Sequence, residues 1–118
     1  MFKEERFKKG HTYFDEGKYF EAHEEWESIW MELSGEERAF IQGLIQISVA
    51  LYHATRENWK GTRKLFASAL DYLKKGESVS GPIDVKSLVD KVLEFEIALQ
   101  KKIKGEEIEL PFFKLPEK

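Results

Sequence analysis

The stretch "GHTYFDEGKYFEAHEEWESI", residues 10–29, decides the fold, because it contains the end of one helix, a turn and most of a second helix. Aromatic side chains recur at helical spacing on both sides of Gly17, a residue type that commonly ends a helix. Forty residues later, "ALYHATRENWKGTRKLFASA", residues 50–69, has a similar arrangement with Phe66 in the place of Trp26. This weak repeat predicts two helical hairpins. Two copies are too few for a solenoid, so we do not expect a peptide-binding repeat array.

Helical periodicity extends along most of the chain, and no segment alternates as a strand does. We predict helices over residues 4–16, 19–33 and 35–55, a fourth beginning after Asn58, and a fifth over about 84–103. Ser34 and Glu37 predict a capping box for the third helix, and Asn58 and Asp84 are predicted N-caps. The third helix is apolar on nearly every side, which predicts that its neighbours bury it.

The predicted fold is therefore all-α, a single domain over residues 1–118. It is a five-helix bundle built from two antiparallel helical hairpins plus a fifth helix and an extended C-terminal tail. The tail, residues 106–118, has two prolines and several large apolar side chains. Such surface is rarely left exposed on a monomer, so we expect the tail to pack over the bundle. The alternative is an arm that reaches a second subunit and forms a homo-oligomer.

Composition narrows the classes of function. The net charge is −3, which disfavours nucleic-acid binding because phosphates require a basic surface. The chain has no cysteine, which excludes disulfides, thiolate metal sites and cysteine nucleophiles. No segment is long and apolar enough to predict a membrane span, and the N-terminus lacks a signal peptide's apolar core. We expect a cytoplasmic protein without a cofactor, and the lysine- and glutamate-rich composition is typical of a heat-adapted source.

Two of the predicted apolar helices carry polar side chains on faces that should be buried. On the second helix, His23 and Glu27 fall on the aromatic side, one turn apart. On the third helix, one polar stripe includes Arg38, Gln42, Gln46 and His53. If the two stripes face each other, these six residues form one network, to which the hydroxyls of Tyr13 and Tyr52 can contribute.

Three interpretations of this network stay open. Buried polar groups are costly unless they pair, so the six residues can form a purely structural network, for example through a Glu27–Arg38 ion pair. They can instead line a pocket that binds an unknown small ligand or a side chain of a partner protein. A hydrolase-type enzyme is the catalytic alternative, with Glu27, His23 or His53 as acid–base groups and Arg38 holding an anion.

A metal site is the least favoured interpretation. The zinc-protease motif needs two histidines four residues apart, but the chain has glutamate at the second position, Glu27. The Glu-x-x-His pattern of di-iron bundles is absent. His23, Glu27 and His53 still provide a two-histidine, one-carboxylate set if the helices pair suitably.

Three segments, "FDEGKYFEAHEEWESIW", "RAFIQGLIQISVALYH" and "NWKG", resemble the family known as domain of unknown function 309. The resemblance covers about residues 7–70 and implies a small all-helical fold of the kind found in bacterial and archaeal proteins. It draws attention to the same polar residues and does not identify a substrate. The matching positions are Gly17, Tyr19, His23, Glu24, Trp26, Glu27, Trp30, Arg38, Phe40, Gln42, Gly43, Leu44, Ile45, Gln46, Ala50, Tyr52, His53, Asn58 and Gly61.

Overall fold

A computed structural model describes all residues from Met1 to Lys118, and its regular structure is entirely helical. The all-α prediction is confirmed: there are five helices and no strand. In chain order they are α1 (Glu5–Asp15), α2 (Tyr19–Trp30), α3 (Gly35–Thr55), α4 (Trp59–Lys75) and α5 (Val85–Ile103). No helix has both the length and the apolarity that crossing a membrane requires.

The first two helices pack tightly because Gly10 leaves room for an indole. A Cβ atom at Gly10 would lie 2.3 Å from Nε1 of Trp26, too close for any side chain to fit. That Nε1 donates a hydrogen bond to the backbone oxygen of Phe7, at 3.3 Å. At the other end of the pair, the rings of Phe14 and Tyr19 meet at 5.2 Å between centroids. The start of α1 thus meets the end of α2, so the two helices run in opposite directions.

Helix α3 lies between α2 and α4 and packs against both. Nine of its 21 residues are buried and only five are exposed, so the prediction that its neighbours bury this helix is correct for most of its length. Thr62 on α4 places its hydroxyl 3.2 Å from the backbone oxygen of Ala50, and Gly76 lies against the backbone of Phe40. The start of α3 therefore meets the end of α4. The remaining side of α3, towards α2, carries the polar stripe.

Local signals place the helix ends with two exceptions. Asn58 accepts a hydrogen bond from the backbone N–H of Gly61 at 3.1 Å, and Asp84 accepts one from Ser87 at 3.2 Å, as predicted. The capping box at Ser34 is wrong: Ser34 makes no side-chain cap bond. Helix α2 also ends at Trp30, three residues before the predicted end, because the chain tightens there into turns between positions three apart.

An arginine on α1 holds the C-terminal end of α2. The guanidinium of Arg6 donates to Oε2 of Glu32 at 2.6 Å and to the backbone oxygen of Ser28 at 3.0 Å. It also pairs with Glu4 at 2.8 Å. Hydrogen bonds from Arg6 lower the pKa of the Glu4 carboxyl to about 2 and lower that of Glu32. This ion-pair cluster joins α1 and α2 at the end of the pair opposite the Phe14–Tyr19 contact.

The C-terminal tail packs across the bundle, as its apolar side chains predict. Phe113 is 3% exposed and contacts the rings of Phe14, Phe66 and Phe95. Backbone bonds fasten the chain end: Asp84 donates to the oxygen of Pro116, and Lys118 donates to that of Pro82, each at 2.9 Å. Association of subunits through the tail stays a prediction.

Neighbouring phenylalanines in the tail provide a matched test of this packing. Phe113→Ala should lower the free energy of unfolding by about 3 kcal/mol or more, because it empties a fully packed aromatic site. Phe112 is 70% exposed, so Phe112→Ala should change stability by less than about 0.5 kcal/mol. Urea unfolding of both variants measures the difference. Equal effects would mean that the tail does not hold Phe113 in the core.

Candidate functional site

A cleft opens between the first half of α2 and the last turns of α3. Its volume is about 490 Å³, within the range of about 300–1,000 Å³ that is usual for small-molecule sites. We call it the α2–α3 cleft. Its lining residues are Phe20, His23, Val49, Tyr52, His53, Arg56 and Asn58.

Helical geometry explains why α2 contributes His23 and Phe20 to the cleft. Ala22, Trp26 and Ile29 form the buried stripe of α2. At about 100° per residue, His23 lies roughly 60° round the helix from Trp26, and Phe20 lies roughly 60° further. His23 is therefore only 15% exposed on its side chain, whereas Phe20 is 51% exposed. This flank of α2 faces α3 at its inner part and solvent at its outer part.

The hydrogen bonds of His23 define the state of its ring. Its Nδ1 lies 2.5 Å from the backbone oxygen of Phe20. A carbonyl oxygen only accepts hydrogen bonds, so Nδ1 carries the hydrogen. In the neutral ring, Nε2 therefore has the free lone pair, and it lies 3.8 Å from Oε2 of Glu27. The result is an imidazole whose basic nitrogen faces a carboxylate at the edge of the cleft.

His53 has the opposite arrangement, which Asn58 imposes. Oδ1 of Asn58 accepts the hydrogen bond from Gly61, so its other terminal atom is the amide nitrogen. That nitrogen lies 3.3 Å from Nδ1 of His53, and an amide nitrogen only donates. Nδ1 of His53 is therefore the acceptor, and Nε2 carries the hydrogen in the neutral ring. The N-cap of α4 thus also orients a histidine of α3.

Arg56 adds a cation to the cleft without a carboxylate beside it. Its Nη1 donates to the hydroxyl of Tyr52 at 3.1 Å, and its guanidinium carbon lies 5.5 Å from the centre of the Tyr52 ring. No ion pair involves Arg56. The seven lining residues include no aspartate or glutamate. The charge of Arg56 is therefore not compensated within the cleft.

The six residues of the predicted network do not form one network. His23 and His53 both line the cleft, but Glu27 is 58% exposed on its side chain, so its predicted place on the buried face is wrong. It lies about 40° beyond His23, past the part of α2 that α3 covers. Arg38 is exposed and stacks on Trp30, at 3.9 Å from the ring centre, and makes no ion pair with Glu27.

The two glutamines on α3 also lie apart from the cleft lining. Gln42 is partly buried and hydrogen-bonds to none of the other five. Oε1 of Gln46 is buried without a hydrogen-bond partner, and Nε1 of Trp30 is in the same condition. Gln46 is therefore not paired within the predicted network.

The residues of the alternative metal set are not brought together. No group of three histidine, cysteine, aspartate or glutamate side chains has an arrangement that would hold a metal ion. His23, Glu27 and His53 therefore do not form the predicted two-histidine, one-carboxylate set.

Four lining residues were not predicted from the sequence as part of the site: Phe20, Val49, Arg56 and Asn58. Helix spacing contained part of the signal, because Phe20 precedes His23 by three residues and Arg56 follows His53 by three. Tyr52, predicted to contribute a hydroxyl, does line the cleft, whereas Tyr13 does not.

A second cleft lies between α4 and α5 and is strongly basic. Its polar lining consists of Lys60, Arg63, Lys64 and Lys102, beside the ring of Trp59. It has no histidine and no carboxylate, and it provides a useful contrast with the α2–α3 cleft.

Comparison with known proteins places the chain in a family. Residues 7–65, half of the chain, match the family described as a domain of unknown function (DUF309). The chain belongs to this family. All seven lining residues of the α2–α3 cleft fall within the DUF309 region, whereas α5 and the tail fall outside it.

One relative extends the comparison to a named organism. The chain is similar to the uncharacterized protein YpuF of Bacillus subtilis (strain 168), at 41% identity over 56 residues. The match covers 47% of this chain and 32% of the relative. The DUF309 chain therefore spans about a third of the length of that relative.

The unpaired amide oxygen of Gln46, Oε1, leads to a prediction about the stability of the folded protein. Gln46→Met replaces a buried unsatisfied oxygen with an apolar group of similar length, so unfolding should cost about 1 kcal/mol more than in the wild type. Thermal and urea unfolding measure this difference, with Gln100→Met on the exposed side of α5 as the control. A loss of about 1 kcal/mol or more would show that the amide is satisfied in the folded protein.

Proposed function

We propose that this DUF309 protein is a small binding module that takes a small ligand in the α2–α3 cleft. The observation that carries the proposal is the presence of two histidines with free ring nitrogens beside an uncompensated arginine in one cleft. Polar groups at a helix–helix contact usually pair with each other, because burial without a partner is costly. Here each histidine is oriented by a local bond and leaves one nitrogen free.

The cleft also has the mixed lining of small-molecule sites. Phe20, Val49 and Tyr52 provide apolar surface, and the polar groups are few and lie near one another. Phe20 supports this argument because its large aromatic ring is 51% exposed. A ligand that covers the ring removes apolar surface from water, which favours binding. The network residues His23 and His53 remain candidates for ligand contact, and Glu27 lies at the rim. Arg38, Gln42 and Gln46 are less favoured because they do not line the cleft.

A fragment screen by ¹⁵N–¹H NMR on the full-length protein tests this function. Fragments that bind should shift the amide resonances of residues 20–23 and 49–58 more than those of α5. Val49→Phe fills the cleft and should weaken such fragments by at least about tenfold, a loss of roughly 1.4 kcal/mol.

The control for that variant is Ala67→Phe, which adds the same side chain to the exposed wall of the α4–α5 cleft. Ala67→Phe should leave the fragment affinities unchanged. A screen in which no fragment shifts the cleft resonances would refute the binding module. So would fragments that bind Val49→Phe as well as the wild type.

A hydrolase-type activity is the second candidate, and the ring states of the histidines favour it. Nε2 of His23 is an acceptor near the carboxylate of Glu27, whereas Nε2 of His53 is a donor in the same cleft. A base and an acid at one site are the requirements of general acid–base catalysis. In this scheme His23 takes a proton from an attacking water, and Arg56 replaces Arg38 as the group that holds an anion.

Turnover of a panel of chromogenic esters and phosphate esters tests this candidate. His23→Asn should reduce any turnover by about 10²- to 10⁴-fold, because it removes the proton acceptor. Glu27→Gln should reduce it less, since Glu27 acts only through His23. If the wild type is no faster than His23→Asn on every ester, the acid–base function is excluded.

A further inference from the structure

The polar groups of the α2–α3 cleft are mostly hydrogen-bond donors. Asn58 uses one amide hydrogen on His53 and keeps the second. Nε2 of His53 carries a hydrogen in the neutral ring. The Tyr52 hydroxyl accepts from Arg56, so its own hydrogen is free to donate. The one free ring acceptor is Nε2 of His23. A ligand that satisfies this set must present several acceptors.

The charge of the cleft leads to the same conclusion. A guanidinium has five N–H donors, and Arg56 uses one of them on Tyr52. By contrast, the guanidinium of Arg6 pairs with both Glu4 and Glu32. Arg56 has no such partner, and the cleft has no acidic lining residue. A bound anion would supply the missing charge.

Two aromatic rings form one wall of the cleft. The rings of Phe20 and Tyr52 meet edge to face, at 5.6 Å between centroids. Phe20 also lies edge-on to the ring of His23, at 4.8 Å. Rings prefer such offset or edge contacts with further flat groups. The wall therefore suits a flat apolar body beside the cationic end of the cleft.

We infer that the ligand is a small organic anion, in which a carboxylate or phosphate group is joined to a flat apolar body. Arg56 and the N–H of His53 bind the anionic group, and Phe20 and Tyr52 contact the body. This inference rests on the proposed binding function and specifies the chemical class of its ligand.

Matched probes that differ in charge test the class of ligand. Benzoate and phenyl phosphate are the anions, benzamide is the neutral counterpart of benzoate, and benzylamine is the cation. NMR titration of the full-length protein should give at least about tenfold tighter binding for an anion than for benzamide or benzylamine, because charge-assisted hydrogen bonds are the stronger ones. Tighter binding of benzoate identifies a carboxylate ligand, and tighter binding of phenyl phosphate identifies a phosphate ligand.

Two exposed arginines provide the matched variants. Arg56→Met should abolish the preference for the anion and leave benzamide binding within about twofold, because the aliphatic stem is retained. Arg63→Met, in the basic α4–α5 cleft, should leave both affinities unchanged. Neither arginine forms an ion pair within the chain, so both variants should fold.

The outcomes separate the two proposals. If benzamide or benzylamine binds the cleft as tightly as the anions, the ligand is not an anion, and the binding module survives. If Arg63→Met and not Arg56→Met weakens anion binding, the anions bind the α4–α5 cleft and the inference is overturned. If no probe of any charge shifts the cleft resonances while fragments of the screen do, this inference is refuted and the binding module survives.

Discussion

The rest of the structure depends on the contact between Trp26 and Gly10. The indole occupies the space that a side chain at residue 10 would need, and its N–H bonds to the backbone of α1. This contact fixes the rotation of α2 about its own axis. Once Trp26 faces α1, the flank with His23 and Trp30 must face α3. The position of the cleft therefore follows from packing that involves none of its own residues.

The interface between α2 and α3 contains polar side chains that do not bond to each other across it. Local bonds satisfy one nitrogen of each histidine: a backbone oxygen on α2 for His23, and the cap of α4 for His53. Neither ring then needs the other helix. The interface keeps two buried polar atoms without partners, Oε1 of Gln46 and Nε1 of Trp30. Unpaired buried groups of this kind cost stability, and they are more common at functional sites than in ordinary cores.

Charge is distributed unevenly in a way that the net value hides. Helix α2 carries four glutamates, but the cleft beside it contains none of them, because its inner flank is occupied by Ala22, His23 and Trp26. Helix α4 carries five lysines and arginines against one aspartate. A chain with a net charge of −3 thus has one cleft with a single arginine and no acidic residue, and a second cleft lined by four lysines and arginines. Predictions from net charge alone describe the average surface and not the sites on it.

The sequence by itself determined the five helices, the caps at Asn58 and Asp84, the burial of α3 and the aromatic packing at Trp26. These features depend on residues close together in the chain, and local patterns record them well. It also pointed to His23 and His53. Only the tertiary structure decided which other side chains join them, because a cleft depends on how far one helix covers another. Because α3 covers only part of α2, Glu27 is exposed to solvent, and Arg38 stacks on Trp30. The tertiary structure also brought in Phe20 and Arg56, which helix spacing places near His23 and His53 without showing that they line a cleft.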